Sequence, residues 1–467
     1  MTFKRIIAFI FFGFFHITPL IATVYTWKGE APTSANIWTN PLNWDPDSSY
    51  PANPTDEANF SGNPDPNQII LNAGLDLNKL TISGDTTFNI SATGLGAINF
   101  KGVSPSITMN SPSEATAAIF SIPIFGAVSI TKSGNSTLVL TQPSQPFAFY
   151  TGSVTLEDGT LSINSDKSLG NANNSLSLNG GTLLSTESFS LVASRSITLG
   201  STTTTSINVQ SGTALTISGV ISGAGGLNKI GFGALELNGT NTYTGTTTVS
   251  AGTLKGTGRV AGVLNNSGGT LAPGNSIGTF TVGGNYTQNS SSTLAIEINK
   301  DGGRDVLAVS GSASLAGTVV IDPLPGQYAA GTSYTFLTAG SIAGTFNTVS
   351  ILDGASGSVS YTGTTATFTL DHHLPVLPVP AYLLRGNAKR IANYLFRTGY
   401  YPTNSDLESV YHTLLSQSSE EFPVALRRLG PTQFGAFPII SLESDVRVAQ
   451  ATVDNWRNCS LSYEDLN

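Results

Sequence analysis

The chain has 467 residues and a formal net charge of −8, and only 11% of its side chains are charged. That balance excludes the basic surface of a nucleic-acid binder and the charge density of a disordered tail. Gly, at 50 residues, exceeds the usual ~7%, and with Ser, Thr and Asn it supplies tight turns and a polar, weakly charged exterior. Cys459 is the single cysteine, so no intrachain disulfide forms and stability must come from hydrogen-bonded, stacked backbone.

Lys4 and Arg5 precede the apolar run Ile6–Phe15, and Leu20-Ile21-Ala22 offers a cleavage site with Ala22 last. This predicts a signal peptide over 1–22. The run breaks at His16, Thr18 and Pro19, short of the ~20 residues a membrane span needs. Tyr25-Thr26-Trp27, Trp38, Trp44 and Phe60 follow. Their aromatic density suits a cap over the open end of a solenoid; the alternative is an aromatic platform for sugars.

Short runs then recur: Ile69–Leu71, Lys79–Ile82, Thr87–Ile90, Val128–Ile130, Ala234–Leu237, Thr279–Val282 and Thr293–Ile298. They alternate polar and apolar residues between Gly, Asn and Ser turns, the pattern of half-buried strands. None can bury its apolar face alone, so coils must stack on coils. At roughly 20–25 residues per coil the span 23–370 gives on the order of 15 coils. Stacked ~4.8 Å apart, they make a rod of about 70 Å. Lys132–Leu140 is repeated as Lys229–Leu237, Tyr150-Thr151-Gly152 as Tyr243-Thr244-Gly245, and Gly159-Thr160-Leu161 as Gly252-Thr253-Leu254. The copies, 132–161 and 229–254, are expected to span several coils each, and the first carries four extra residues in a loop at 141–149.

The second copy carries Gly231, Gly233, Leu235, Leu237, Gly239, Asn241, Tyr243, Gly245, Gly252 and Leu254, followed by Pro273, Gly274 and Asn275. This pattern is similar to the passenger-associated repeat of bacterial type V autotransporters, closely over 229–278 and loosely to about Phe346. The resemblance implies an all-β fold over 23–370, a right-handed parallel β-helix exported to the outer membrane and cell surface. The N-terminal W…W…NW…DxAxF pattern resembles the first coil of many β-helical surface proteins, and 279–370 resembles the family's C-terminal cap.

From His372 three prolines in six residues make a stiff linker, 371–380. Helical spacing follows over 381–467: Leu384, Ala388, Ile391 and Leu395, then Leu407, Val410, Tyr411, Leu414 and Leu415 behind a capping box at Ser405 and Glu408, then Leu442, Val446, Ala449, Val453 and Trp456. This tail resembles the short α-helical connector before an autotransporter barrel. Only 30 residues follow Phe437, too few for about eight strands of 9–11 residues. The expectation is a chain truncated before the barrel, with an outer-membrane β-barrel translocator supplied in cis or in trans.

Between Thr23 and Leu370 there is no histidine and no cysteine, which removes Ser-His-Asp, Cys-His and His-ligated metal chemistry. Carboxylates remain: Asp45 with Asp47, Glu157-Asp158, and Glu297 with Asp301 and Asp305. All lie near turns, where acids are usually solvated. The glycines of 223–226 and 302–303 lack the strand-to-helix setting of a phosphate cradle. Asn265, Asn266 and Asn285 are expected to stack as amide ladders. His372-His373 has no third ligand nearby. The sequence thus offers no catalytic or metal residue and no cofactor. It points to a structural, adhesin-like passenger whose partners are host or neighbouring-cell surface molecules. The alternatives are a carbohydrate-active β-helix lyase or hydrolase using carboxylates, and a fragment of an interrupted gene with no independent function.

Overall fold

The alternation read from the sequence decides the architecture. Ile69 and Leu71, Leu80 and Ile82, Leu235 and Leu237, and Leu294, Ile296 and Ile298 all point inward and are fully buried, while the residues between them face out. The computed structural model describes residues 22–371, except 34, 62–67, 86, 115–116, 142–149, 202, 325–327 and 353–354.

The strands wind into a parallel β-solenoid with three faces. The first face is one sheet of thirteen strands, from Gln68–Leu71 to Ser341–Gly344. The second has three strands, Gly74–Leu77, Ala97–Phe100 and Ile124–Gly126, and resumes as eight from Phe189–Leu191 to Thr348–Ile351. The third has ten strands, ending at Ile221–Gly223, and resumes as six from Arg259–Val260. Successive coils pair in parallel, as Ala234 with Thr253 and Thr253 with Thr270. One continuous apolar core runs inside all three faces.

Thirteen levels make twelve steps of ~4.8 Å, about 58 Å. This is shorter than the rod expected from coil counting, because several coils carry long corners rather than extra strands. The two repeat copies also differ in azimuth. Lys132 ends a strand of the third face, Ser129–Lys132, whereas Lys229 lies on the first, in Gly226–Ile230. The copies are therefore displaced by four turns and one third. Each covers little more than one turn, since Lys229 already registers with Val249.

At the N-terminal end Val24–Trp27 pairs antiparallel with Trp44–Asp45 and parallel with Glu57–Phe60. Trp27, Trp38 and Trp44 pack with Phe60, the ring centroids of Trp27 and Trp38 lying 4.9 and 4.8 Å from that of Trp44. Phe60 meets Phe88 of the next coil at 5.5 Å. The indole N–H groups of Trp38 and Trp44 donate to the carbonyls of Pro51 and Trp38. With all three indoles buried, no flat ring is left open, so this cluster closes the solenoid and does not form a sugar platform. At the other end Thr365–Leu370 pairs antiparallel with Ser333–Thr338 and Gly357–Tyr361. The signal segment up to residue 21, the loop 142–149 and the helical connector 381–467 lie outside the described residues.

Trp44→Ala removes the ring shared by this cluster and should cost about 3–5 kcal/mol. Limited proteolysis of the full chain should show the first cuts moving to the N-terminal coils, with the C-terminal coils unchanged.

Candidate functional site

Where a strand ends at a corner, its ladder is interrupted and backbone groups need other partners. Both repeat copies meet this need with a buried lysine. Lys229 Nζ donates to the carbonyls of Ile230, Gly231 and Ala251 at 2.8, 2.7 and 3.2 Å. Lys132 Nζ donates to Ser133, Gly134 and Asp158 at 2.8, 2.6 and 3.1 Å. Burial pulls both amines down to about 8. Gly252 has φ +64°, and a Cβ there would lie 2.3 Å from the Gly231 oxygen and 2.8 Å from Lys229 Nζ, so only glycine fits against the lysine.

The other motif residues build the same coil. Leu235, Leu237 and Leu254 fill the core, and Gly233, Gly239 and Gly245 lie against the backbone of the preceding coil. Tyr243 is fully buried, its hydroxyl 2.6 Å from Thr247 Oγ1, and burial raises it well above the usual phenol range. Asn241 accepts the Ile221 N–H at 2.9 Å and donates to the Gly239 carbonyl. It adds to the few backbone bonds that cross the interruption of the third face. Pro273 ends the strand Thr270–Pro273, and Gly274 turns the chain at φ +92°. Asn275 donates to Glu236. Burial pushes the Glu236 carboxyl up, but Asn238, Asn275 and Lys255 outweigh this and hold it below its ordinary value.

A second buried corner was not visible in the motif. Arg195 is fully buried and forms a bidentate pair with Asp166, 3.0 Å on each arm. Its Nη1 donates to the carbonyls of Leu169, Asn171 and Asn174. Asn174 in turn donates to Tyr150 and Leu169 and accepts the Gly152 N–H. Residues 152, 174 and 195 each directly precede a strand level of the third face. The clasp therefore fixes three consecutive levels against one another.

Those levels carry a regular array. Ser106 and Thr108, Ser129 and Thr131, Ser153 and Thr155, Ser175 and Ser177, and Ser196 and Thr198 face outward on successive coils, each pair straddling one buried apolar residue. Thr108, Thr131, Thr155, Ser177, Thr198 and Ser222 register without a shift. Ladder bonds from Ile130 to Ser153, Val154 to Ser175 and Leu176 to Ser196 carry the serine column. In these strands the outward side chains are uncharged: Lys132 points inward, and Glu157 stands exposed just past Leu156. The signal, Ser-apolar-Ser/Thr every 21–24 residues, is present in the sequence, but its uneven spacing hides it until the corners set the register.

Glu297 lies beside Asp305 and registers with Asp322 of the next coil, while the other acids stand apart. Asp45, Asp47, Glu157 and Asp158 are exposed, and Asp301 pairs with Lys300 at 2.7 Å. Asp305 is buried and accepts the N–H groups of Gly278 and Glu297 at 2.9 and 2.8 Å, pinning the loop after Gly274. Among the described residues no three of His, Cys, Asp and Glu stand where they could hold a metal ion. The expected amide ladder is corrected. Asn266 donates to the Thr293 carbonyl and accepts the Gly269 N–H, and Asn285 accepts the Ser312 N–H. Unmatched corner amides draw them more strongly than neighbouring side-chain amides do.

Residues 130–163 and 227–255 match the passenger-associated-transport-repeat family. The chain is also similar to the adhesin BmaC autotransporter of Brucella suis biovar 1 (strain 1330), with 34% identity over 226 residues. That alignment covers 44% of this chain and 6% of the relative, so the chain spans a small part of the protein it matches.

Arg195→Met leaves Asp166 and three carbonyls without their donor and should cost about 3–5 kcal/mol. The measurement is the urea midpoint of the full chain, with amide exchange accelerating first around 152–176. Burial is the main force that pushes Asp305 up to about 7, with the Glu297 charge adding to it. The folded chain thus holds this proton more tightly than the unfolded one. The group's contribution to stability is full below pH 3.8 and is lost as pH rises through 7. Asp305→Asn should flatten the decline in denaturation midpoint across that window.

Proposed function

We propose, for a chain that carries an autotransporter passenger domain, that it is an exported surface protein that adheres and does not catalyse. The observation that carries this reading is the outward surface of the solenoid: uncharged Ser/Thr columns over a sealed core, with strand acids such as Glu57, Asp76 and Glu236 paired to lysines. Broad adhesive surfaces work through many weak contacts presented on a rigid frame, and a parallel solenoid supplies such a frame. The similarity to a protein described as an adhesin supports the same reading. In this proposal the segment 1–22 directs export and is removed after Ala22. An outer-membrane β-barrel translocator passes the passenger to the surface, and the partners are molecules on host or neighbouring cells. A carbohydrate-active enzyme would need a pair of acids facing one another across a bound sugar. Glu157, Asp158 and Asp301 stand apart, and Asp305, the neighbour of Glu297, is buried with both oxygens accepting backbone N–H groups, which argues against such a pair.

In the native cells the mature chain should begin at Thr23 by mass spectrometry, and protease added to intact cells should release solenoid fragments. The purified chain should bind saturably to cultured epithelial cells or to bacteria that do not produce it. A chain retaining Met1 and protected until lysis would defeat the export reading. Non-saturable binding to both cell types, or release of reducing ends from polysaccharide, would defeat the adhesive, non-catalytic one.

A further inference from the structure

We propose that the third face between Ser106 and Thr198 is a docking track for an extended, uncharged, β-linked polysaccharide lying along the solenoid axis, one sugar per coil. The inference rests on the adhesive reading and names the chemistry of its partner. The face is a two-column grid. Ser106, Ser129, Ser153, Ser175 and Ser196 form one column, and Thr108, Thr131, Thr155, Ser177 and Thr198 the other. Two residues along a strand separate the columns by about 6.6 Å, and coils repeat every ~4.8 Å. An extended β-linked pyranose chain advances by close to one strand spacing per sugar, and the two columns are about as far apart as one ring is wide. Each coil can therefore offer the same pair of hydroxyls to each successive sugar, alternate sugars of a two-fold chain meeting it with opposite edges.

The hydroxyls are available for this. Ser153 bonds to Ser129 at 3.3 Å, but none of Thr108, Thr131, Thr155, Ser177 and Thr198 spends its side chain on a bond within the described residues. A hydroxyl both donates and accepts, as does a sugar hydroxyl, so either partner can adapt. The five levels turn no cation outward, Glu157 stands just past Thr155, and Lys79, in register with Ser106, is already paired with Glu57, so a uronate or sulfated polymer would gain no free counter-charge and the face selects a neutral chain. β-branched Thr also has few rotamers to lose, so presenting its hydroxyl costs little entropy. The buried clasp of Arg195, Asp166 and Asn174 holds the levels at 153, 175 and 196 in fixed register, which a repeating ligand requires. Each level contributes weakly, and the affinity arises from levels acting in series on one chain.

The test uses the full chain with cellulose- and chitin-derived oligosaccharides of two to six sugars, measured by calorimetry or NMR titration. Affinity should rise at least about tenfold from dimer to hexamer. The triple variant Thr108→Val, Thr131→Val, Thr155→Val keeps the strand shape and should abolish that gain while leaving the unfolding midpoint unchanged. Failure of both oligosaccharide series to bind, binding independent of length, or binding untouched by the triple variant would overturn the proposal. So would wild-type chain that ignores both series but arrests ice growth, which would assign the grid to ordered water. If the triple variant loses oligosaccharide but still binds cells, the track stands and adhesion to cells runs through another surface. If wild-type chain binds hexamer but no cell, the adhesive reading fails by itself.

Discussion

No coil of this protein is complete without the next. A strand of three or four residues has no pairing of its own, and the N–H and C=O groups of each level are matched by the levels above and below. Ladder pairing handles the three flat faces. It cannot handle the corners, where the chain turns and its groups diverge. The buried polar side chains stand at those points: Lys132 and Lys229 collect carbonyls, Asn174 and Asn241 accept amides, and Arg195 collects carbonyls beside its partner Asp166. Leaving one such group unmatched costs about 1–3 kcal/mol, enough to justify the burial of a charge. The corners thus set how far each strand can slide, and the faces inherit their register from them.

That inheritance links structure to surface chemistry. On a parallel sheet any outward residue that recurs at the same place becomes a column. Thr and Ser on the third face form columns because the corners behind them hold the levels in step. The same rule yields a column of five on the second face, where Thr253, Thr270, Thr293, Thr318 and Thr348 register in sequence. Among the described residues the hydroxyls are therefore spread along lines.

Much of the architecture was legible because it is local. Alternation at Leu235 and Leu237 or Ile296 and Ile298 predicts strands, and the glycine-bounded repeat predicts stacking. The aromatic cap was also readable, since Trp27, Trp38 and Trp44 cluster in the chain as well as in space. What was not legible depends on which coil lies above which. Lys229 sits in the repeat motif, but nothing in its neighbourhood shows that Ala251, one turn later, supplies a carbonyl to it. Asn266 and Asn285 look like ladder residues until their corners are seen to hold unmatched groups. The Ser-apolar-Thr array escapes a search for fixed periods because corner length varies from coil to coil. Arg195 and Asp166 stand 29 residues apart and share no local signature.

The offset of the two repeats by four turns and one third has a geometric meaning of its own. A unit that closes one corner with a lysine and two glycines carries its own corner partners, and the two copies seat it at two different edges of the prism. Duplicating it lengthens the rod without dictating direction. Segments inserted beside successive copies would then project a third of a revolution apart, distributing whatever they carry around the axis instead of crowding one side.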